Sequence, residues 1–282
     1  MNNPKPRLYP AHIAGIVLIV AASGAFFLSP WISILLLSFY VILCVVACFL
    51  PQTQFLGPVI HRGRTGLPQV SITFDDGPSE GVTPAILELL DQYRVKAAFF
   101  VSGLNAKRHP DLVAEILARG HIIGNHSYHH FPYLMLKSRR VLFDEISKAQ
   151  SILRDLGVET KAFRPPVGIV NPKLAFVLND LDLICVTFSC RAFDAGNRNT
   201  HKLSNRILKK VKADDIILLH DVPARDDPEN QWFLREIEKI LIGVRNKGLT
   251  VVSLAELIGR DLMGSRPIGS KGSGLTRKKN FD

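Results

Sequence analysis

The chain has 282 residues, of which 47% are hydrophobic, and carries a formal net charge of +10. Its basic residues are scattered and lack the interleaved aromatic residues of a single-strand binding surface, which argues against nucleic acid as a partner and favours an anionic membrane surface or substrate. The four cysteines form no disulfide framework and no zinc-binding Cys pattern. A metal ion, if bound, must therefore be held by histidines and carboxylates.

The apolar excess lies in the first fifty residues. Residues 11–28 and 31–50 contain no charged side chain, and each is close to the roughly 20 residues that span a bilayer. Only Ser29 and Pro30 separate them. This pattern predicts an integral membrane protein with two transmembrane helices in a tight hairpin, whose partner is the lipid bilayer. Two alternatives are a cleaved signal peptide and a pair of helices buried in a soluble core.

Positive charges near the ends of the hairpin predict its orientation. Lys5 and Arg7 precede it, Arg62 and Arg64 follow it, and the connecting turn has none. The positive-inside rule then places the following domain on the cytoplasmic face of the cell membrane. A single signal-anchor helix would reverse this orientation.

From residue 65 onward, strand-like and helix-like segments alternate about seven times. This alternation is typical of an α/β fold in which helices cover a parallel sheet, and seven or eight units favour closure into a barrel. The sequence thus divides into a basic N-terminal tail (1–10), two transmembrane helices (11–50), a linker (51–66), a catalytic domain (67–260) and a disordered basic tail (261–282).

Polar clusters follow several predicted strands, where parallel α/β folds place their functional sites. Asp75 and Asp76 end the first strand, and two adjacent carboxylates are costly unless a cation or an arginine offsets them. His126 and His130 are four residues apart, a spacing that on one face of a helical turn directs both imidazoles to one ion. His129 is an alternative ligand at this turn.

Three further clusters lie downstream. Arg164 precedes two prolines that stiffen the chain, and its guanidinium can hold a carboxylate with two hydrogen bonds. Asp194 ends the segment FSCRAFD, and His220 ends the apolar strand IILLH. The alternative for Arg164 and Asp194 is a simple salt bridge at the end of a strand, and His220 taken alone favours a buried structural histidine.

In this order, the clusters resemble the polysaccharide deacetylase family, also called the NodB homology family or carbohydrate esterase family 4. The resemblance covers roughly residues 68–258 and rests on the strings TFDDGP, HSxxH, RPPxG and LLH. It implies a distorted seven-stranded (β/α) barrel that hydrolyses carbon–nitrogen bonds in N-acetylated amino sugars with the help of a metal.

The resemblance also implies roles for the clustered residues. Asp75 would be the general base, and Asp76, His126 and His130 would hold one divalent metal ion. His220 would protonate the departing amine. Two histidines and a carboxylate suit zinc best and also admit cobalt, nickel, manganese or iron.

Four more residues acquire roles in the same way. Arg164 would orient the base, and Asp194 would position the acid. The backbone N–H of Val167 would stabilise the oxyanion, and Leu218 would line the pocket for the acetyl methyl group.

The sequence departs from the usual family pattern at three positions. Phe188 stands where tryptophan is usual, Arg191 where an acidic residue is usual, and Val167 where an aromatic residue is common. The role of Asp194, close to two of these positions, is therefore less firmly implied. We expect the departures to alter substrate preference more than chemistry.

The expected substrate is an N-acetylated glycan, such as peptidoglycan or a chitin-like polysaccharide, or a lipid-linked amino sugar. A cytoplasmic catalytic face favours a lipid-linked precursor, and an outward face favours wall or capsule glycan. Two alternatives are a catalytically silent glycan-binding membrane protein, and a deformylase or O-deacetylase on the same scaffold.

Overall fold

A computed structural model of the protein describes residues 8–225, 227 and 229–264. Most of the two predicted basic tails, 1–10 and 261–282, lies outside these described residues. The described chain opens with two helices, α1 (Pro10–Phe26) and α2 (Pro30–Phe49). By length and composition, α2 is a candidate membrane span, whereas α1 is also apolar but shorter at 17 residues.

The two helices pack against each other in antiparallel fashion. The Tyr40 hydroxyl of α2 donates a hydrogen bond to the carbonyl oxygen of Ala11 at 3.0 Å. Nearer the turn, the Ser33 hydroxyl donates to the carbonyl oxygen of Ala22 at 2.7 Å. Both hydroxyl groups thus form hydrogen bonds between the helices. The outer faces of both helices are apolar and largely exposed.

The open end of this hairpin is joined to the following domain. The backbone N–H of Ala11 donates to the carbonyl oxygen of Phe55 at 3.0 Å, and that of Val170 donates to the carbonyl oxygen of Cys48 at 3.1 Å. Ala11 and Ala47 also belong to an apolar cluster formed mainly by residues of the domain. The connecting turn therefore points away from the domain.

Eight strands and eight further α-helices follow in the described part of the chain. In chain order they are β1 (Gln69–Asp75), α3 (Thr83–Gln92), β2 (Ala98–Val101), α4 (Gly103–Arg108), α5 (Pro110–Ala118), β3 (Ile122–Asn125), α6 (Arg139–Asp155), β4 (Ala162–Phe163), α7 (Pro172–Asp180), β5 (Ile184–Cys185), β6 (Cys190–Arg191), α8 (Leu203–Leu208), β7 (Ile216–His220), α9 (Gln231–Asn246), β8 (Thr250–Val251) and α10 (Leu254–Ile258).

The strands form one parallel sheet in the order β5-β4-β3-β2-β1-β7-β6, with β8 paired to the start of β1. β1 lies at its centre and is buried along almost its whole length, as the continuous apolar pattern of a parallel strand requires. Helices α3, α5 and α9 supply apolar side chains to the core on one face of the sheet. The predicted α/β architecture is confirmed.

The edges of this sheet differ from the predicted closed barrel. The segment LICVTFSC, expected to be one strand, forms two: β5 pairs with β4 at one edge, and β6 pairs with β7 at the other. Only residues 186–189 separate these two edge strands in the chain. Because an extended residue spans at most about 3.6 Å, so short a connection forces the sheet to curl into a half-barrel.

The segment that precedes the sheet lies across the gap between its edges. Ile60 forms a parallel bridge with Val186, and Arg62 an antiparallel bridge with Asp215. The Arg62 guanidinium also forms an ion pair of 2.5 Å with the Asp215 carboxylate. In place of a direct pairing of β5 with β6, which the described residues do not show, this segment links the two sides.

Strand register brings the polar clusters to one end of the sheet. Asp75 is the register partner of His220 across β1 and β7, so both strands present their last residue at the same level. Asn125 is the partner of Phe163 across β3 and β4. Consequently, the residues that follow those strands, His126 and Arg164, emerge beside Asp75.

Candidate active site

Asp75 is held by the most deeply buried arginine of the site. Arg164 has a relative exposure of 0%, and its Nη1 donates to Asp75 Oδ1 at 2.6 Å and to the Thr73 hydroxyl at 2.7 Å. Its Nε and Nη2 donate to the backbone carbonyls of Val186 and Thr187. The guanidinium fixes Asp75 Oδ1 and leaves Oδ2 directed toward the histidines, 3.7 Å from His126 Nε2.

Asp76, His126 and His130 come together as the sequence predicted, and their ligand atoms all lie within 4.8 Å of one another. The predicted helical turn is wrong, however: residues 126–130 form a non-helical loop in which Ser127 and His130 have positive φ angles. The Asn125 side-chain oxygen accepts a hydrogen bond from the Ser127 N–H, which stabilises this alternative to a helix.

The three side chains fit a divalent metal ion. Asp76 Oδ1 lies 3.4 Å from His126 Nε2 and 3.1 Å from His130 Nε2. Tetrahedral coordination at about 2.0 Å would separate ligand atoms by about 3.3 Å. Asp76 Oδ1 is also buried without a hydrogen-bond partner among residues 8–225, 227 and 229–264, and such an orphaned oxygen is costly unless a cation compensates it. The geometry thus favours these three atoms as ligands.

Contacts with neighbouring groups prepare His126 and Asp76 for that role. His126 Nδ1 lies 2.7 Å from the carbonyl oxygen of Arg164, so Nδ1 carries the proton and the Nε2 lone pair faces Asp76. Burial by itself raises the pKa of Asp76, but its contacts with His126 and the nearby His130 outweigh burial and hold the pKa well below its usual range. Asp76 is therefore ionised at neutral pH.

His129, the alternative ligand, points elsewhere. Its Nδ1 lies 2.6 Å from Glu145 Oε1, and its backbone N–H donates to Glu145 Oε2 at 2.9 Å. Glu145 belongs to α6 and is buried. His129 thus anchors the loop to a helix, and the metal-ligand cluster contains His130 instead.

His220 is oriented by Asp194. Asp194 Oδ2 lies 2.8 Å from His220 Nδ1 and accepts a second hydrogen bond from the Asn197 N–H. Burial lowers the pKa of His220, but the hydrogen bond and the charge of Asp194 outweigh it and raise that pKa to about 9. At neutral pH, the imidazole holds a proton on each nitrogen. The Nδ1–H group contacts Asp194, and the Nε2–H group does not.

The structure also locates the two remaining predicted site residues. Val167 is 55% exposed and adopts a left-handed conformation with φ 57°, which is strained for a β-branched residue and typical of functional positions. Leu218 is buried in β7, opposite Thr73 in the register.

Comparisons with known proteins agree with this geometry. A family model described as polysaccharide deacetylase matches residues 62–186. A peptidoglycan-N-acetylglucosamine deacetylase of Bacillus cereus is 32% identical over 191 residues, which are 67% of this chain and 87% of that protein. This chain belongs to the polysaccharide deacetylase family. The resemblance noted in the sequence is confirmed.

Other members of the family extend the comparison. The crystal structure of the Bc1960 peptidoglycan N-acetylglucosamine deacetylase superimposes with a TM-score of 0.65 at 29% identity, covering 72% of this chain and 94% of that one. The peptidoglycan-N-acetylglucosamine deacetylase PgdA of Listeria monocytogenes is 31% identical over 206 residues. The chain spans 42% of the length of that Listeria protein.

Three residues that support this site were not singled out by sequence. Thr73 accepts a hydrogen bond from Arg164. Asn105 donates its side-chain N–H to the Asp76 carbonyl at 2.8 Å, and Asn197 donates to the His220 carbonyl at 3.1 Å. Only Thr73 lies inside a recognised string, TFDDGP; Asn105 and Asn197 act on positions far from them in sequence.

Asp221 was also overlooked, although it directly follows His220. It is fully buried, and the Thr83 hydroxyl lies 2.7 and 2.8 Å from its two carboxyl oxygens. Burial is the main cause that raises the pKa of Asp221 well above its usual range. A Cβ atom on Gly77 would overlap this carboxyl group, so Asp221 packs directly under the turn that follows Asp76.

Proposed function

We propose that this protein is a metal-dependent deacetylase that hydrolyses the N-acetyl amide of an amino sugar. One observation carries the proposal. A carboxylate held by Arg164, a three-ligand metal cluster and a protonated histidine held by Asp194 converge at one end of the sheet. Amide hydrolysis needs a proton acceptor, an electrophile and a proton donor, and these groups supply all three.

Asp75 is the proton acceptor in this proposal. Arg164 Nη1 donates hydrogen bonds to Asp75 Oδ1 and to the Thr73 hydroxyl. Oδ2 is therefore the carboxylate oxygen free to take a proton from the attacking water. The buried guanidinium also fixes the carboxylate in position, which reduces the reorganisation needed for proton transfer.

Asp76, His126 and His130 hold the metal ion, for which zinc is the best match and cobalt, nickel, manganese and iron remain candidates. When bound, such an ion polarises the amide carbonyl and lowers the pKa of water. Three protein ligands would leave coordination positions for the carbonyl oxygen and for the water. The Val167 N–H supplies a hydrogen-bond donor for the oxyanion.

His220 is the proton donor to the departing amine. Because its pKa is raised to about 9, it carries the required proton at neutral pH. Asp194 fixes Nδ1 and thereby aims Nε2–H into the site. Leu218 forms an apolar wall suited to the acetyl methyl group.

We further propose that α1 and α2 form a hairpin in the cell membrane, with the catalytic domain on the cytoplasmic face. The exposed apolar side chains of both helices support this proposal, since a bilayer would cover them. The candidate substrates are then N-acetylated amino sugars within reach of that membrane, whether lipid-linked or polymeric.

Acetate release tests the catalytic proposal. Detergent-solubilised protein is incubated with a panel of N-acetylated glycans and lipid-linked amino sugars, alongside Asp75→Asn protein and chelator-treated protein. We expect release by the wild type and its loss in both controls.

The other outcomes favour other functions. Bound metal with no release from any substrate would favour a silent glycan-binding protein. Release of formate, or of acetate only from O-acetylated substrates, would keep hydrolysis and change the acyl group. Accessibility labelling of an introduced cysteine in intact cells tests the membrane side.

A further inference from the structure

A cavity of about 570 Å³ joins the end of the α1/α2 hairpin to the catalytic end of the sheet. Phe49 and Leu50, at the end of α2, line it on one side, and Val167 lines it on the other. Between them, a Cβ atom on Gly168 would lie 3.0 Å from the Phe188 ring, so the loop that carries Val167 is packed closely on the wall of this cavity. We call this cavity the helix-side groove.

The helix-side groove is cationic. Arg62, Arg191 and Lys210 line it, and no aspartate or glutamate among the described residues does. Arg62 is paired with Asp215, whereas Arg191 and Lys210 form no ion pair within the described part of the chain. Such a lining favours an anionic ligand.

Aromatic rings hold the two unpaired cations in place. The Arg191 guanidinium lies 4.1 Å from the centre of the Phe193 ring and 5.4 Å from that of Phe188. Lys210 Nζ lies 4.7 Å from the centre of the Phe193 ring. Cations fixed in this way on aromatic faces are positioned before a ligand arrives, which lowers the entropic cost of binding.

The three departures from the family pattern meet in this groove. Val167, Phe188 and Arg191 all line it. Arg191 stands at a usually acidic position, so the exchange reverses the charge expected there. The neighbouring Asp194 carboxylate attracts Arg191 through its charge, but the histidine it contacts at 2.8 Å is His220.

The surroundings of the groove indicate what else the ligand carries. Its lining includes apolar side chains next to the cations, namely Phe49, Leu50 and Ile169. On the hairpin side it begins where α2 ends, and the outer face of α2 is apolar and exposed. A ligand with a phosphate in the groove could therefore extend a hydrocarbon chain along α2.

From this arrangement we infer that the substrate is an N-acetylated amino sugar joined through a phosphate to a lipid chain, whose phosphate binds Arg191 and Lys210 in the helix-side groove. The inference rests on the proposed deacetylase function and specifies its substrate class. The sugar lies toward Val167 and the catalytic groups, the phosphate in the groove, and the chain beside α2.

Two matched substrates test the inference on the detergent-solubilised full chain. One is N-acetylglucosaminyl phosphate esterified with a farnesyl chain, and the other is the neutral farnesyl N-acetylglucosaminide. The readout is the ratio of kcat/KM for acetate release from the phosphate substrate to that from the neutral one. For the wild type, we expect a ratio of at least about ten, because a hydrogen bond to a charged group contributes about 1.5–3 kcal/mol.

Substitutions identify which residues bind the phosphate. Arg191→Gln and Lys210→Gln are each expected to lower the ratio severalfold, and the double variant to bring it near one. Arg198→Gln and Lys209→Gln remove the same charge from exposed residues that do not line the groove, and they should keep the wild-type ratio. Lys210 is itself exposed, so its variant retains the fold.

The outcomes separate this inference from the proposed function. Acetate release with a wild-type ratio near one would overturn the inference and leave the deacetylase intact. A high ratio that Arg191→Gln and Lys210→Gln change no more than the controls do would also overturn it, because the phosphate would be read elsewhere. Release from neither farnesyl substrate, with acetate still released from the glycan panel, would overturn this inference alone, and release from no substrate at all would refute the proposed function as well.

Discussion

Replacing Arg164 tests how the buried ion pair supports the site. Arg164→Met keeps an apolar side chain of similar length and removes the hydrogen bonds to Asp75, Thr73 and the carbonyls of Val186 and Thr187. It also leaves the Asp75 carboxylate buried without its partner. Breaking a buried ion pair from one side costs about 3–5 kcal/mol, a large share of a typical stability of about 5–15 kcal/mol.

Urea unfolding of the detergent-solubilised protein, followed by circular dichroism, measures this cost. Asp75→Asn in the Arg164→Met background removes the stranded charge, so the double variant should recover about 1.5–3 kcal/mol relative to the sum of the single changes. Acetate release should be lost in both single variants.

Arg139→Met is the matched control, because Arg139 forms an ion pair of 2.7 Å with Asp180 at the surface. The Arg139 side chain is 48% exposed and that of Asp180 is 32% exposed. Exposed pairs contribute about 0–1 kcal/mol. The reasoning fails if Arg164→Met destabilises the protein no more than this control does, or if the effects of Asp75→Asn and Arg164→Met simply add.

Further predictions concern protonation and metal binding. Asp194→Asn should lower the pKa of His220 from its raised value of about 9, so the alkaline limb of the kcat/KM profile should move to lower pH; an unmoved limb would argue against His220 as the proton donor. His130→Ala should reduce bound metal measured by mass spectrometry, whereas His129→Ala should retain it, and equal losses would contradict the assignment. Because the folded state raises the pKa of Asp221, the contribution of this group to stability should fall as pH rises above about 4, the unfolded-state value. The difference in urea-unfolding free energy between wild type and Asp221→Asn should therefore change with pH in that direction, and a difference that is constant with pH would show that the pKa of Asp221 is not raised.

The convergence of the polar clusters was predictable from sequence because a parallel sheet brings the carboxyl ends of its strands together. Asp75 and His220 end strands that pair in register, and His126 and Arg164 directly follow two more. In such a sheet, a polar residue placed just after an apolar strand has little freedom in where it emerges. The alternation of strands and helices followed from local pattern for that reason, whereas the choice of His130 over His129 came from the family resemblance.

Local pattern failed to predict the backbone conformation where contacts with residues distant in sequence determine it. The spacing of His126 and His130 suits a helix, but the Asn125 side chain, the Ser127 carbonyl bonded to Gly103 N–H, and the Glu145 carboxylate hold the loop in another conformation. None of these partners is visible from a spacing of four residues.

The split of LICVTFSC has a similar cause. Its first half pairs with β4 and its second half with β7, so one continuous β-like stretch serves two edges of the sheet. Apolar and β-branched composition indicates extended backbone but not the partner of each half. The closed barrel was expected because the sequence does not show which strands lie at the edges.

The hydrogen bond from Val170 N–H to the Cys48 carbonyl joins the last turn of α2 to the loop that follows Val167. If α2 crosses a bilayer, a thicker or thinner membrane changes its tilt and height, at a cost of fractions of a kcal/mol per ångström. The bond would transmit part of that displacement to the Pro166–Gly168 turn. Lipid chain length would then affect the position of the catalytic loop. Turnover in bilayers of graded thickness should pass through an optimum that detergent micelles do not reproduce.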